Sequence, residues 1–174
     1  LTMNQNSKIV FDIEADSLKP TKIHCIVAKE VGGPIHKFPP NKIQEGLEFL
    51  KSSDVLIGHN ILSFDLPVIK RLHGVDLFDK SIEDTLVMSR LFNPIRENGH
   101  SLKTWGYRVN FAKQEQPLDF EEYSSQMLEY CANDVRLNEL VYNHLLKEGQ
   151  GFSEKCINLE HQVAKIMAQQ EANG

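Results

Sequence analysis

Residues 8–18 read Lys8-Ile9-Val10-Phe11-Asp12-Ile13-Glu14-Ala15-Asp16-Ser17-Leu18. Alternation over Lys8 to Ile13 predicts a strand with Ile9, Phe11 and Ile13 on one face and Val10, Asp12 and Glu14 on the other. Two carboxylates therefore share one face at the strand's carboxyl end. Like charges so placed repel unless a cation stands between them, and hard divalent ions such as Mg²⁺ or Mn²⁺ take oxygen ligands. The pattern alone is weakly specific. With 9 Asp and 15 Glu in 174 residues, about one D-x-E arises by chance, and Asp119-Phe120-Glu121 is a second. A solvated strand end stays open as the alternative.

Outward from this strand, Lys22 to Lys29 and Ile35 to Phe38 read as two more strands around the Val31-Gly32-Gly33-Pro34 turn, an antiparallel meander. Ile43, Leu47 and Leu50 mark a short helix. Val55-Leu56-Ile57 is a buried strand leading through Gly58-His59-Asn60 to a helix with Leu66, Ile69 and Leu72, Pro67 in its first turn. The rest reads as helical: Asp84 to Phe92, a short helix capped by Ser101, Ser124 to Lys147, and a last helix after Gln150-Gly151 with Leu159, Val163 and Ile166 or Met167 facing inward. Strands first, then helices closing over them, predict an α/β domain with a mixed sheet flanked by helices.

Composition is globular, 41% hydrophobic and 25% charged. No apolar run approaches the ~20 residues that span a bilayer, and no signal segment is visible, which predicts a soluble cytoplasmic protein without a membrane partner. Three widely spaced cysteines without a C-x-x-C pair argue against a zinc site. The net charge of −5 opposes a nucleic-acid partner, because phosphate binding normally rests on a basic face.

Two further constellations carry chemistry. Asp65 opens a helix six residues after His59 in His59-Asn60-Ile61-Leu62-Ser63-Phe64-Asp65; read by itself it is a helix-capping aspartate or a metal ligand. Tyr130-Cys131-Ala132-Asn133-Asp134 stacks a phenol over a carboxylate at i, i+4. That pair reads as a helix-steadying hydrogen bond or as part of a site, and the neighbouring Leu128, Cys131, Val135 and Tyr142 as core.

The order D-x-E, H-N-x4-D and Y-x3-D resembles the three motifs of the DEDD 3′→5′ exonucleases, a DnaQ-like superfamily with an RNase H-like core. Tyr130 marks the DEDDy subclass; the histidine subclass would place its base where Glu129 stands. The likeness is closer to the proofreading domain of family A DNA polymerases of podoviral phages. It is carried by residues 11–18, by Asp84-Thr85-Leu86-Val87-Met88-Ser89-Arg90-Leu91 and by His100-Ser101-Leu102-Lys103-Thr104-Trp105-Gly106-Tyr107-Arg108. Residues 7–150 would be the exonuclease domain, 1–6 a disordered or added leader, and 151–174 a helix resembling the connection to a polymerase domain.

The resemblance implies an RNase H-like fold and two divalent cations, Mg²⁺ or Mn²⁺, held by Asp12, Glu14, Asp65 and Asp134. Tyr130 would orient the attacking water, since a phenol titrating near about 10 is a poor base at neutral pH. The substrate would be single-stranded DNA or a frayed primer 3′ end in the cytoplasm of a phage's bacterial host, the product a nucleoside 5′-monophosphate, and a polymerase domain in cis or in trans a partner. Leu18 is a wedge against terminal bases or a packed leucine. His59, Asn60 and Phe64 are candidate contacts to the terminal nucleotide, and Lys103 and Arg108 to phosphate. An exoribonuclease would share every catalytic carboxylate, whereas a catalytically silent DNA-binding or structural domain predicts their loss.

Overall fold

The computed structural model describes residues 6–112, 114–117 and 119–174, so the expected leader lies, except for Asn6, outside the described residues. Strands β1 (Lys8–Ala15), β2 (Ile23–Glu30) and β3 (Ile35–Phe38) form the antiparallel meander, and β4 (Val55–Gly58) and β5 (Ser81–Asp84) add to the other edge in parallel, giving the order β3-β2-β1-β4-β5. The strand β5 has no counterpart in the sequence reading. Its four residues carry one aliphatic side chain, and only pairing with β4 makes them a strand.

The alternation along β1 divides the core as the sequence predicts. Ile9, Phe11 and Ile13 pack with α1 (Ile43–Lys51) and α2 (Asp65–His73). Val10 points to the opposite layer, built by α3 (Thr85–Phe92), α4 (Leu102–Arg108) and α5 (Ser125–Glu148) around the fully buried Trp105. Gly58 closes β4 where no side chain fits: a Cβ there would stand 2.2 Å from Ile61 Cγ2 and 3.1 Å from the Phe11 carbonyl oxygen. The chain then turns through Asn60, whose φ of 65° is a left-handed conformation that Asn tolerates.

Helix α6 (Glu154–Asn173) packs on α3 and β5, and here the sequence reading is corrected. Leu159, Val163, Ile166 and Met167 face outward, 43–57% exposed, while His161 and Ala168 are buried and Ala164 joins the core. Small side chains let α6 approach closely, and periodicity alone does not tell a buried face from an exposed apolar one. Among the described residues no helix is long and apolar enough to cross a membrane.

Candidate active site

The strand β4 pairs with β1 only as far as Val10, which leaves one side of β1's carboxyl end open. Four elements meet there. Asp12 and Glu14 project from the same face as Val10, toward α5, which brings Tyr130 and Asp134 one turn apart. Asp65 arrives from the opposite layer as the first residue of α2; Phe64 holds the cap position. The Asp65 carboxylate reaches across the end of β1, where it accepts a hydrogen bond from the Ile13 backbone N–H at 3.2 Å.

These side chains line one open groove of about 440 Å³ together with Leu18, His59, Asn60 and Phe64. Leu18 is 91% exposed on its rim, so the packed-leucine reading fails. Two further residues, Gln116 and Phe120, carry no spacing signature and escape the sequence reading. Gln116 Nε2 donates to the Tyr130 hydroxyl at 3.2 Å. His59 Nδ1 lies 2.9 Å from Thr85 Oγ1, which donates to the Gly58 carbonyl and accepts from Asn138 Nδ2. Asp84 accepts from the backbone N–H groups of Asn60 and Leu62, fixing the loop between β4 and α2. The stretch from Asp84 to Leu91 stands out in the sequence without a role; these contacts supply one.

Lys103 and Arg108 are placed elsewhere. Lys103 lines a neighbouring groove, and Arg108 bonds the carbonyls of Glu97 and Gly99 and stacks over Trp105 at 5.1 Å. The second D-x-E is an Asx turn in which Asp119 accepts from the Glu121 N–H.

The electrostatics of the groove suit a cation. Burial, then the nearby carboxylate of Asp12, pushes Glu14 up to about 10. Asp65 is raised well above the usual carboxylate range by burial and then by Asp12, against the opposing Ile13 N–H. One ligand atom each from Asp12, Glu14 and Cys131 lie within 4.8 Å of one another. Crowded carboxylates of one sign are stabilised by a proton or a cation, and an oxygen-rich set suits a hard divalent ion. The residues fit Mg²⁺ or Mn²⁺.

This has a measurable consequence. The native state keeps the Glu14 proton from about pH 4.5 to about 10 while the unfolded chain loses it. The contribution is therefore full below about 4.5 and is lost as pH rises toward about 10. A bound cation replaces the proton, so its stabilisation grows with pH. Mn²⁺ at about 100 times its Kd adds about 2.7 kcal/mol, or about 5–11 °C for a chain of this size. Thermal unfolding with Mn²⁺ and with EDTA is expected to show that gap at pH 8.5 and less than half of it at pH 5.5; an equal gap at both would refute the assignment of Glu14.

A mixed five-stranded sheet flanked by helices, open at the end of its first strand, is an RNase H-like fold. Among solved structures the chain is similar to Brucella melitensis NrnC, with a TM-score of 0.77 and 18% identity over 98% of this chain and 87% of NrnC. NrnC is also known with bound Mg²⁺ and bound to pGG. Escherichia coli RNase D, an exoribonuclease involved in structured RNA processing, matches with a TM-score of 0.69 and 16% identity over 93% of this chain and 45% of RNase D. The family B DNA polymerase of Pyrobaculum calidifontis matches with a TM-score of 0.62 and 16% identity over 82% of this chain and 25% of the polymerase. No family model and no curated protein matches the sequence.

Proposed function

We propose that this chain is a divalent-metal-dependent 3′→5′ exonuclease that removes nucleoside 5′-monophosphates from single-stranded or frayed DNA ends, in the proofreading of replication. One observation carries the reading: Asp12, Glu14, Asp65, Tyr130 and Asp134, from three motifs far apart in sequence, line a single groove. Divalent ions held by the four carboxylates, two of them in our reading, would neutralise the scissile phosphate and acidify a water. The chain's own residues do the rest. Tyr130, held by Gln116, orients that water. Leu18 and Phe64 offer apolar surface to an unpaired terminal base. His59 and Asn60 stand at the groove wall for the terminal sugar and phosphate. A duplex end is a poorer fit, because its last nucleotide must leave the stack to reach the carboxylates.

A second reading has its own support. NrnC and RNase D share the fold, RNase D is an exoribonuclease, and an RNA exonuclease needs the same carboxylates. The family B polymerase shares it too, and with the motif resemblance to phage polymerases it favours DNA. The deciding assay offers 5′-labelled single-stranded DNA and RNA of one sequence with Mg²⁺ or Mn²⁺. Stepwise shortening from the 3′ end, abolished by EDTA and at least about tenfold faster on DNA, is expected; faster RNA cleavage supports the second reading. Absence of metal-dependent shortening of either would remove both.

A further inference from the structure

Two neighbouring grooves share lining residues with the catalytic groove and flank it as two arms. One, reached past Gln116, runs along α4 and the following loop and has Lys103 and Glu115 as its charged residues among those described. The other, of about 760 Å³, is reached past Leu18 and Phe64 and runs between α2, the β1–β2 loop and the carboxyl end of α6. Its floor is apolar, with Pro67, Val68 and Phe78. Its charged residues are Lys19, Lys70 and Arg71 against one acid, Glu171. This concentrates cations on a chain whose net charge is −5.

We infer that the second arm is the track for the nucleotides upstream of the one being removed; the inference rests on the exonuclease reading and adds the path of the strand. Three features carry it. The arm adjoins the catalytic groove, sharing with it the two apolar residues suited to stacking bases, Leu18 and Phe64. Even with Asp76 paired to Lys70, its three cations outnumber its acids, which suits a phosphate backbone. Its rim is also fixed. Arg71 donates to the Pro20 carbonyl at 2.6 Å, locking the β1–β2 loop that carries Leu18 and Lys19 against α2. Lys70 pairs with Asp76 at 2.6 Å and lies over the Phe78 ring at 6.0 Å, which holds its ammonium at the rim. Phosphates would then meet Lys19 and Lys70, and bases the floor. Part of this wall belongs to α6, so the last helix serves the site as well as the fold.

The test compares the double variant Lys19→Gln, Lys70→Gln with Lys103→Gln in the other arm. All three lysines are exposed, so the variants keep the wild-type melting temperature. Binding is read by fluorescence anisotropy of a 5′-labelled octathymidylate in EDTA, where nothing is cut; cleavage is read with Mn²⁺ on the same octamer and on a dinucleotide. The double variant is expected to bind the octamer about tenfold more weakly, with a slope of log affinity against log salt shallower by about 1.4, two phosphate contacts at about 0.7 each. Its dinucleotide cleavage stays within about twofold of wild type, since the dinucleotide stops at Leu18 and Phe64. Unchanged octamer binding, or the loss appearing in Lys103→Gln instead, would overturn the track. Equal losses on octamer and dinucleotide would overturn it too, because the lysines would then act on the catalytic groove itself. Wild-type binding without any cleavage would refute the exonuclease reading and leave the track standing.

Discussion

Replacing Asp12 with alanine is expected to abolish cleavage while leaving the fold as stable as before. After burial, the Asp12 charge does most to raise both Glu14 and Asp65. Without it a divalent ion held as proposed would lose an oxygen ligand, and with it several kcal/mol of transition-state stabilisation. At about 1.4 kcal/mol per tenfold, a rate at least about 10³ times lower follows. Stability does not follow the rate. In the metal-free protein at neutral pH the protons on Glu14 and Asp65 already relieve the repulsion from Asp12, and burial, the larger cause of both raised values, remains without it, so the melting temperature is expected to be unchanged. A general loss of structure would lower both quantities together, so measuring both identifies the cause. The control is Asp119→Ala in the other D-x-E. Its carboxylate caps a surface turn, and the rate is expected to stay within about twofold, as for a surface substitution away from such features. Comparable damage from Asp119→Ala would move the metal site.

How far sequence reaches into this molecule depends on what each residue's role requires. β1 was readable because its burial alternates by physics that acts along the strand: three aliphatic or aromatic side chains to one layer, Val10 and two carboxylates to the other. The pair Tyr130 and Asp134 is readable because its spacing follows helix geometry, whereas Asp65, which follows a loop at the start of its helix, is picked out by the motif resemblance alone. The edge strand β5 was not, since Ser81, Glu83 and Asp84 have no preference for extended structure until β4 lies beside them. The last helix shows the opposite failure. It has a clear apolar stripe, and that stripe is the exposed one, because the buried face is made of Ala164, Ala168 and a histidine. Polar contacts set its direction instead: the Asp84 backbone N–H donates to His161 Nε2 at 2.9 Å and Lys165 Nζ donates to the Phe78 carbonyl at 2.6 Å. Arg108 is a third case: a cation at the end of a short helix reads as a phosphate contact, yet the fold surrounds it with backbone carbonyls and a tryptophan ring. Gln116 and Phe120 lie in the connection between α4 and α5, where no periodicity speaks for a residue's direction.

Asp84 follows from the same reasoning and gives the largest expected effect on stability. Its carboxylate is 1% exposed. One oxygen accepts from the N–H groups of Asn60 and Leu86, both at 2.9 Å, and the other from Leu62 at 3.1 Å. Burial raises its pKa and the three N–H donors oppose the rise. Its own N–H can only donate, so His161 accepts through Nε2 and gives its Nδ1 proton to the Ile157 carbonyl at 2.8 Å. One side chain thus holds the left-handed turn at Asn60, starts α3 and sits at the junction with α6. Asp84→Ala leaves three N–H groups without an acceptor at about 1–3 kcal/mol each. With local relaxation the loss is about 3–5 kcal/mol, a large share of a typical stability of about 5–15 kcal/mol. The melting temperature is expected to fall by about 10 °C or more. Below that temperature cleavage should fall as well, because His59 and Asn60 lose their anchor and the approach to Asp65 loosens. Asp84→Asn keeps an oxygen for one set of donors and turns an N–H₂ toward the other, so it should fall between wild type and alanine in both measurements. The two effects separate by temperature: unfolding weakens as the assay is cooled, whereas a misplaced loop slows cleavage at every temperature. If Asp84→Ala melts within about 2 °C of wild type, well short of the cost of even two unpaired buried donors, the carboxylate is not what holds the His59–Asp65 loop, and its hold on the site fails with it.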